Sequence, residues 1–435
     1  MSTVGMNWLA YDTFEPGVNG QLEYEASIYS LFEKSMKGVE GRTAKIKLQT
    51  GDGAVGNIAT EGGAYSTPVD PTGAEASLTL SQINAATGWS TLEWALLNSR
   101  TAGAEEVVSY KMENIKDALL RDIIRQSWGD GVGRLARATA AAGVNVVPLA
   151  STTTNQVDRD RGIWLDANRM QVDFVDSVTG TAIANGTNRT ITAVDFTTGA
   201  STLTVSGAAN LTPTATTVVV RSGNILGGGT YVSSEWPGIL AVINATNTYL
   251  GINRATATNA FWRSTVLANA TVLRPLTMPL IYSLRSEIAK RGKGKIIAPE
   301  WCYMSNQGVF AAYGELLAPQ MRFNQTNELS KLDAGWSALD IFGAPLLEDI
   351  HSPRNNLFAI YKPNVNFRYA KNAKAGRPFG VVDYDGGPYR MRPGTTAGTI
   401  DSFVLLQMEG FLTIASERPN LHGRLDDLAE IGTVN

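Results

Sequence analysis

The chain has one cysteine, Cys302, among 435 residues, so an internal disulfide and a cysteine-built zinc site are both excluded. A small buried hydrophobe is the expected role of that thiol. Charge is also scarce: Asp, Glu, Lys and Arg make up 18% of the residues, below the usual quarter, and the net charge is only -3. A weakly charged surface of this kind suits extensive interfaces. It lacks the clustered Lys and Arg excess with which a nucleic-acid reader holds phosphates. No run approaches the roughly 18 apolar residues of a membrane span, and Met1-Ser-Thr-Val-Gly-Met-Asn-Trp8 has no basic segment followed by an apolar one. The expectation is a soluble protein made in the cytosol, with no membrane contact.

Catalytic constellations are equally thin. The two histidines, His351 and His422, lie in turn-like contexts, and neither a Gly-x-Ser-x-Gly elbow nor His-Glu-x-x-His occurs. Gly51-x-Gly53-x-x-Gly56 has the spacing of a dinucleotide fingerprint, but Asn57-Ile-Ala-Thr-Glu-Gly-Gly63 beyond it is no helix whose N-H groups could hold a pyrophosphate. Gly131-x-Gly133-x-x-Ala136 comes after a helix rather than a strand. Gly292-Lys-Gly-Lys295 lacks the spacing and the hydroxyl of a P-loop and reads as a helix cap. Asp383-Tyr-Asp-Gly386 begins like a calcium loop without its distal Glu, and Asp158-Arg-Asp-Arg161 is a solvated charge run. The Asn-x-Thr triplets at Asn185, Asn210 and Asn244 are glycosylation acceptors only in a secreted chain. No enzyme activity, cofactor or metal is expected.

What is present is a sequence of parts. In residues 1–40, Trp8, Tyr11 and Phe14 precede Ile28, Leu31, Phe32 and Met36, whose spacing predicts a short docking helix. Arg42 to Gln49 alternates, with Ala44, Ile46 and Leu48 on one side and Lys45, Lys47 and Gln49 on the other; Ala76 to Ile83 alternates in turn. Between them lies a long tip of Gly, Asp, Ser and Pro containing Asp52, Glu61 and Tyr65. An isolated hairpin is marginal in water, so this arm should rest on another subunit. Gly103 to Trp128 is the strongest helix, with a stripe of Val108, Met112, Ile115, Leu119 and Ile123 widened by Leu120, Ile124 and Trp128. Asp117 with Arg121, and Asp122 with Arg125, are expected as ion pairs on its outer face.

Residues 151–275 turn rich in Thr, Ser, Asn, Gly and Val, with β-prone runs at 169–175, 190–196, 201–205 and 216–221 that predict a small antiparallel module inserted between helical segments. Met278 to Arg291 is helical, with Ile281, Leu284 and Ile288 in phase, and residues 306–317 are helical again. Strands come next at 338–342, 345–348, 357–361, 365–369, 379–384 and 403–416.

This order of parts resembles the major capsid proteins of tailed bacteriophages, whose Hong Kong 97 fold is shared by encapsulin shells. Residues 1–40 are similar to the N-arm, 42–88 to the extended hairpin called the E-loop, and 103–128 to the spine helix of the peripheral domain. Ile341-Phe-Gly-Ala-Pro-Leu-Leu-Glu-Asp349, Pro353-Arg-Asn-Asn-Leu-Phe358 and Met408-Glu-Gly-Phe-Leu412 resemble the late strands of such shells. The resemblance implies an α+β Hong Kong 97-type fold divided into an N-arm (1–40), an E-loop (41–88), a peripheral domain (89–130 and 336–415), an axial domain (131–150, 276–335 and 416–435) and a β-rich insertion (151–275).

It further implies a structural subunit forming hexamers and pentamers of an icosahedral head. That head is assembled in the host bacterial cytoplasm around double-stranded DNA, which the subunit touches without reading sequence. Lys45, Lys47, Asp52, Glu61 and Tyr65 would be inter-subunit contacts of the E-loop, and Trp8, Tyr11 and Phe14 contacts of the N-arm. The chain begins almost at the N-arm, so a separate scaffolding protein is expected, along with a portal and cement or decoration proteins. A Lys45 or Lys47 cross-link is not expected, because both lie on the strand and not at the tip. The alternatives are an encapsulin-like compartment and a β-rich tail or adhesin component.

Overall fold

In the computed structural model, the structure describes residues 27–49, 73–92, 102–149, 165, 170–195, 201–207, 210–223, 235–292, 300–317, 339–370, 378–382, 389–393 and 400–431. The helix expected over 103–128 runs from Ala102 to Trp128, about 40 Å at 1.5 Å per residue. Ile115 is half-buried, while Leu119, Leu120, Ile123, Ile124 and Trp128 are buried, as the stripe requires. The side chains of Val108 and Met112 lie outside the described residues.

The stripe shares its core with a six-stranded sheet organised by one long strand, Ile400–Ser416. On one side this strand pairs with Ser81–Ser90, from Phe403 opposite Ser90 to Leu412 opposite Ser81. On the other it pairs in turn with Tyr389–Pro393, Phe379–Val381 and Val365–Tyr369. Glu33–Ser35 adds in parallel beyond Val365–Tyr369. Val404, Leu406, Met408, Leu412 and Ile414 are buried at every second position. The gap at Gly410 is filled from outside: a Cβ there would come within 2.4 Å of the Phe379 ring. The short docking helix spans only Ser27–Leu31, burying Ile28 and Tyr29; the chain then turns to strand, which leaves Met36 46% exposed instead of docked.

A second six-stranded sheet runs in the order Thr265–Leu267, Gly423–Leu425, Leu357–Tyr361, Trp301–Ser305, Ala344–Glu348, Leu339–Ile341. Two of its strands read as unbroken apolar runs because both faces are buried. Cys302, Met304, Phe358 and Ile360 belong to the core of the long helix, whereas Trp301, Tyr303, Leu357 and Ala359 face a second core closed by Met278–Arg291 and Gln307–Leu317. Burial pushes the Cys302 thiol up to about 12, which leaves it an inert hydrophobe. Leu339–Ile341, Ala344–Glu348 and Leu357–Tyr361 thus lie in this sheet, and Leu357–Tyr361 packs one face on the core of the long helix and the other on the second core. The chain crosses between the sheets at Lys362–Asn364 and again at Pro419–Leu421.

The β-rich module is a closed barrel. Its strands run in the order Arg134–Arg137, Thr217–Arg221, Gln171–Asp176, Arg189–Asp195, Thr202–Val205, Val146–Pro148. The outer two meet through the bridge of Ala138 with Leu149 and a 2.9 Å bond from Thr139 N–H to the Pro148 carbonyl. Leu135, Val147, Val172, Phe174, Ile191, Leu203 and Val219 fill it. Closure removes the sheet edges. It also corrects the expected limits of 151–275: the four runs found in the sequence need two further strands, which 134–148 supplies. Residues Trp236 to Ile243 belong to the main core and Thr265–Leu267 to the second sheet.

Candidate assembly surfaces

The arm has more support than a free hairpin. Thr43–Gln49 pairs with Gly73–Thr79 over its whole length, and Val39–Glu40 adds a third short strand. Gly38 makes that turn: its φ is +73°, and a Cβ there would sit 2.4 Å from the Lys45 carbonyl oxygen. Ala44, Ile46, Leu48 and Ala76 are buried, and the last three join the main core of the same chain. The base of the arm therefore rests on its own body, contrary to the expectation that all of it needs a neighbour. The apolar face was sufficient to seat it. The second alternating run is also two strands, broken at Leu80, whose N–H donates to the Arg42 carbonyl at 2.7 Å before the chain enters the sheet of the long strand.

The polar face of the arm remains exposed and carries Lys45 and Lys47. Lys45 Nζ lies 3.2 Å from Glu40 and 3.5 Å from Glu75, and the hydrogen bond to Glu40 raises its pKa. Asp52, Glu61, Tyr65, Trp8, Tyr11 and Phe14 lie outside the described residues.

Where the long helix ends lies a buried charge cluster that the local sequence does not announce. Asp122 and Arg125 were expected on the outer face, yet both are covered, because the barrel and residues 235–243 close over that turn of the helix. Arg125 donates through Nε (3.1 Å) and Nη2 (2.8 Å) to Asp122 Oδ1, and through Nη1 (3.0 Å) and Nη2 (2.5 Å) to the two Glu235 oxygens. Gln126 donates to Asp122 Oδ2 at 2.8 Å, and Arg221 of the barrel reaches Asp122 Oδ1 at 3.3 Å. Burial disfavours both charges, but Arg125 and Arg221 outweigh it and hold the Asp122 carboxyl below its ordinary range. Likewise burial opposes the Arg125 charge, and Glu235 and Asp122 raise its pKa regardless. Two cations and two anions thus fix the helix to the barrel and to the segment before Trp236. That segment approaches so closely that a Cβ on Gly238 would fall 2.3 Å from the Gln126 carbonyl oxygen. The i, i+3 spacing of Asp122 and Arg125 was visible in the sequence; Glu235, over a hundred residues away, was not.

A second buried polar group sits where the chain passes between the two sheets. His422 Nδ1 accepts the Tyr361 N–H at 3.1 Å, and Nε2 lies 2.9 Å from Ser416 Oγ. Burial, aided by nearby Arg254, lowers its pKa to about 3. The ring is neutral, and the lone pair on Nδ1 is engaged, so the proton is on Nε2 and points at the serine. This pair cannot work as base and nucleophile. It fastens both crossings to each other. Tyr249 OH accepts the Ser416 N–H at 2.9 Å, and Arg254 stacks 4.5 Å above the Tyr249 ring while donating to the Val242 and Asn244 carbonyls. Among the described residues, no group of His, Cys, Asp and Glu is arranged to hold a metal, and no helix is long and apolar enough to cross a membrane.

No family model and no curated protein matches the chain. Solved structures do. The capsid asymmetric unit of cyanophage A-1(L) is 14% identical, with 93% of each chain covered and a TM-score of 0.50. The capsid of a native GTA particle is 11% identical over 93% of this chain and 90% of that one, TM-score 0.43. The holo-SrpI encapsulin complex of Synechococcus elongatus PCC 7942 is 8% identical over 94% and 90%, TM-score 0.39. The first of these similarities establishes the fold, which is the α+β Hong Kong 97-type capsid fold.

Proposed function

We propose that the chain is the major capsid protein of a tailed bacteriophage, a non-enzymatic subunit that assembles into the icosahedral head enclosing double-stranded DNA. The observation that carries this reading is the fold shared, over 93% of the chain, with the cyanophage A-1(L) capsid subunit. A shell of identical chains closes only if each copy has several separate contacts that tolerate slightly different angles. The polar face of the arm with Lys45 and Lys47, the tip with Asp52, Glu61 and Tyr65, and the N-arm with Trp8, Tyr11 and Phe14 are proposed as such contacts, joining hexamers and pentamers. Segments that order on assembly spend their conformational entropy there, and the area they bury accumulates around the shell. A separate scaffolding protein, a portal, cement proteins and non-specifically held DNA complete the proposed partners, and the virion is the proposed location.

Electron microscopy of the expressed chain, alone and with the scaffolding protein of its own genome, tests the reading. Closed shells support it. Small monodisperse species under both conditions, with virions that lack the chain, refute it. Shells loaded with a cargo enzyme in place of nucleic acid would turn the reading toward an encapsulin-like compartment, and trimeric fibres toward a tail component.

A further inference from the structure

The second core ends in an uncovered aromatic patch. Leu339–Ile341 and Ala344–Glu348 are joined by the two-residue turn Phe342-Gly343, whose φ angles are +52° and +78°. Such a turn favours Asn, Asp or Gly at its first position, so a phenylalanine held there strains the backbone and calls for a use of its ring. That ring lies 4.5 Å from the ring of Tyr282, on Met278–Arg291, and Tyr282 is 55% exposed. Arg285, one turn further along the helix, places its guanidinium 4.9 Å over the Phe342 ring. A cation–π contact leaves the positive charge in place. Among the described residues no carboxylate pairs with Arg285: Glu287 is held by Lys290 at 2.5 Å, and Asp340 alternates away from Leu339 and Ile341, which face the second core. Two rings and a cation without a counter-ion are left at the surface.

We propose that this patch receives residues 8–15 of a second copy of the chain, Trp8-Leu-Ala-Tyr-Asp-Thr-Phe-Glu15. The inference deepens the proposed capsid role and rests on it. Ring chemistry and charge complementarity select the occupant: Trp8, Tyr11 and Phe14 recur at every third residue, Asp12 and Glu15 directly follow the last two, and residues 1–26 contain no Lys or Arg. The rings pack on Tyr282 and Phe342, and the carboxylates neutralise Arg285. Other stretches outside the described residues match less well. Residues 50–72 are acidic but have a single ring, Tyr65, while in 318–338 the acids Glu328 and Asp333 are cancelled by Arg322 and Lys331. The root of the N-terminal segment is fixed elsewhere on its own chain, since Ile28 and Tyr29 sit in the core of the long helix whereas the patch caps the second core. A neighbouring copy is therefore assigned as the donor.

Charge exchange tests the pairing. Arg285→Glu, and separately Asp12→Arg with Glu15→Arg, should each lower shell yield about tenfold at low salt, and all three together should restore it to within about twofold. No loss in either, or no recovery in the combination, overturns the proposal. A second measurement leaves the rings and charges intact. Ser286 is exposed one turn beyond Tyr282, and the native thiol is buried and inert, so Thr13→Cys chains are mixed with Ser286→Cys chains, assembled with the scaffolding protein, oxidised, digested and examined by mass spectrometry. A linked peptide joining positions 13 and 286 supports docking between copies. Its absence from shells that do form refutes the docking and leaves the capsid reading intact. An equally ready link within single, unassembled chains of the double variant refutes the second copy as donor. If wild-type chains form no shells, the capsid reading falls and this inference falls with it.

Discussion

Replacing Glu235 by Gln tests whether the charge cluster is a structural joint. The side chain keeps its shape but loses its charge, and one of its two terminal atoms can no longer accept a hydrogen bond from Arg125. Arg125 and Glu235 side chains are each 6% exposed, so water cannot compensate well. Orphaning a buried ion costs about 3–5 kcal/mol, but Asp122 still holds Nε and Nη2 of Arg125, which places the expected loss nearer to about 2–3 kcal/mol. Urea unfolding of dilute, unassembled chain at pH 7 measures it. A double-mutant cycle with Asp122→Asn should show coupling above about 1 kcal/mol, because both carboxylates serve one guanidinium. The pH dependence has a definite sign. Asp122 has a lowered pKa in the folded state, so its contribution is complete above the ordinary value of 3.8 and is lost as pH falls below it through the folded pKa. A cost under about 0.5 kcal/mol, with no coupling, would show that the cluster is a solvated surface pair in solution.

Ile123→Ala, at a fully buried position of the long helix, should cost about 2–5 kcal/mol in the same urea titration. Gly238→Ala should destabilise by at least about 2 kcal/mol, since backbone oxygens of Gln126, Ser127 and Gly129 all lie within 2.6 Å of the added carbon; a neutral result would mean that the segment does not dock there. His422 is depressed from 6.5 to about 3, so below pH 6.5 the unfolded chain binds a proton that the folded chain refuses. Stability should therefore fall by about 1.4 kcal/mol per pH unit through this residue, and His422→Gln should be less acid-sensitive than wild type by about 2 kcal/mol between pH 6.0 and 4.5. Deleting Gly51 to Asp70 should leave circular dichroism close to wild type while reducing assembly; global unfolding would place those residues in the core.

Local periodicity, by itself, determined most of the elements. The long helix was legible because its apolar stripe repeats over several turns, and Leu357–Tyr361 and Val365–Tyr369 were bounded correctly by their turns. Four barrel strands were recognisable from β-branched runs, and the burial of Cys302 from its lone occurrence. Features that depend on what lies across a gap were decided only by the tertiary structure. Nothing near Arg134 announces a barrel strand, since its partner Thr217–Arg221 is some eighty residues away. Asp122 and Arg125 look like an ordinary surface pair until Glu235 and the barrel close over them. The alternation of Ala44, Ile46 and Leu48 established that one face of the arm must be covered, but a pattern with period two does not identify the cover. Sequence encodes which face is apolar; only the folded chain reveals that its own core occupies that face at the base of the arm.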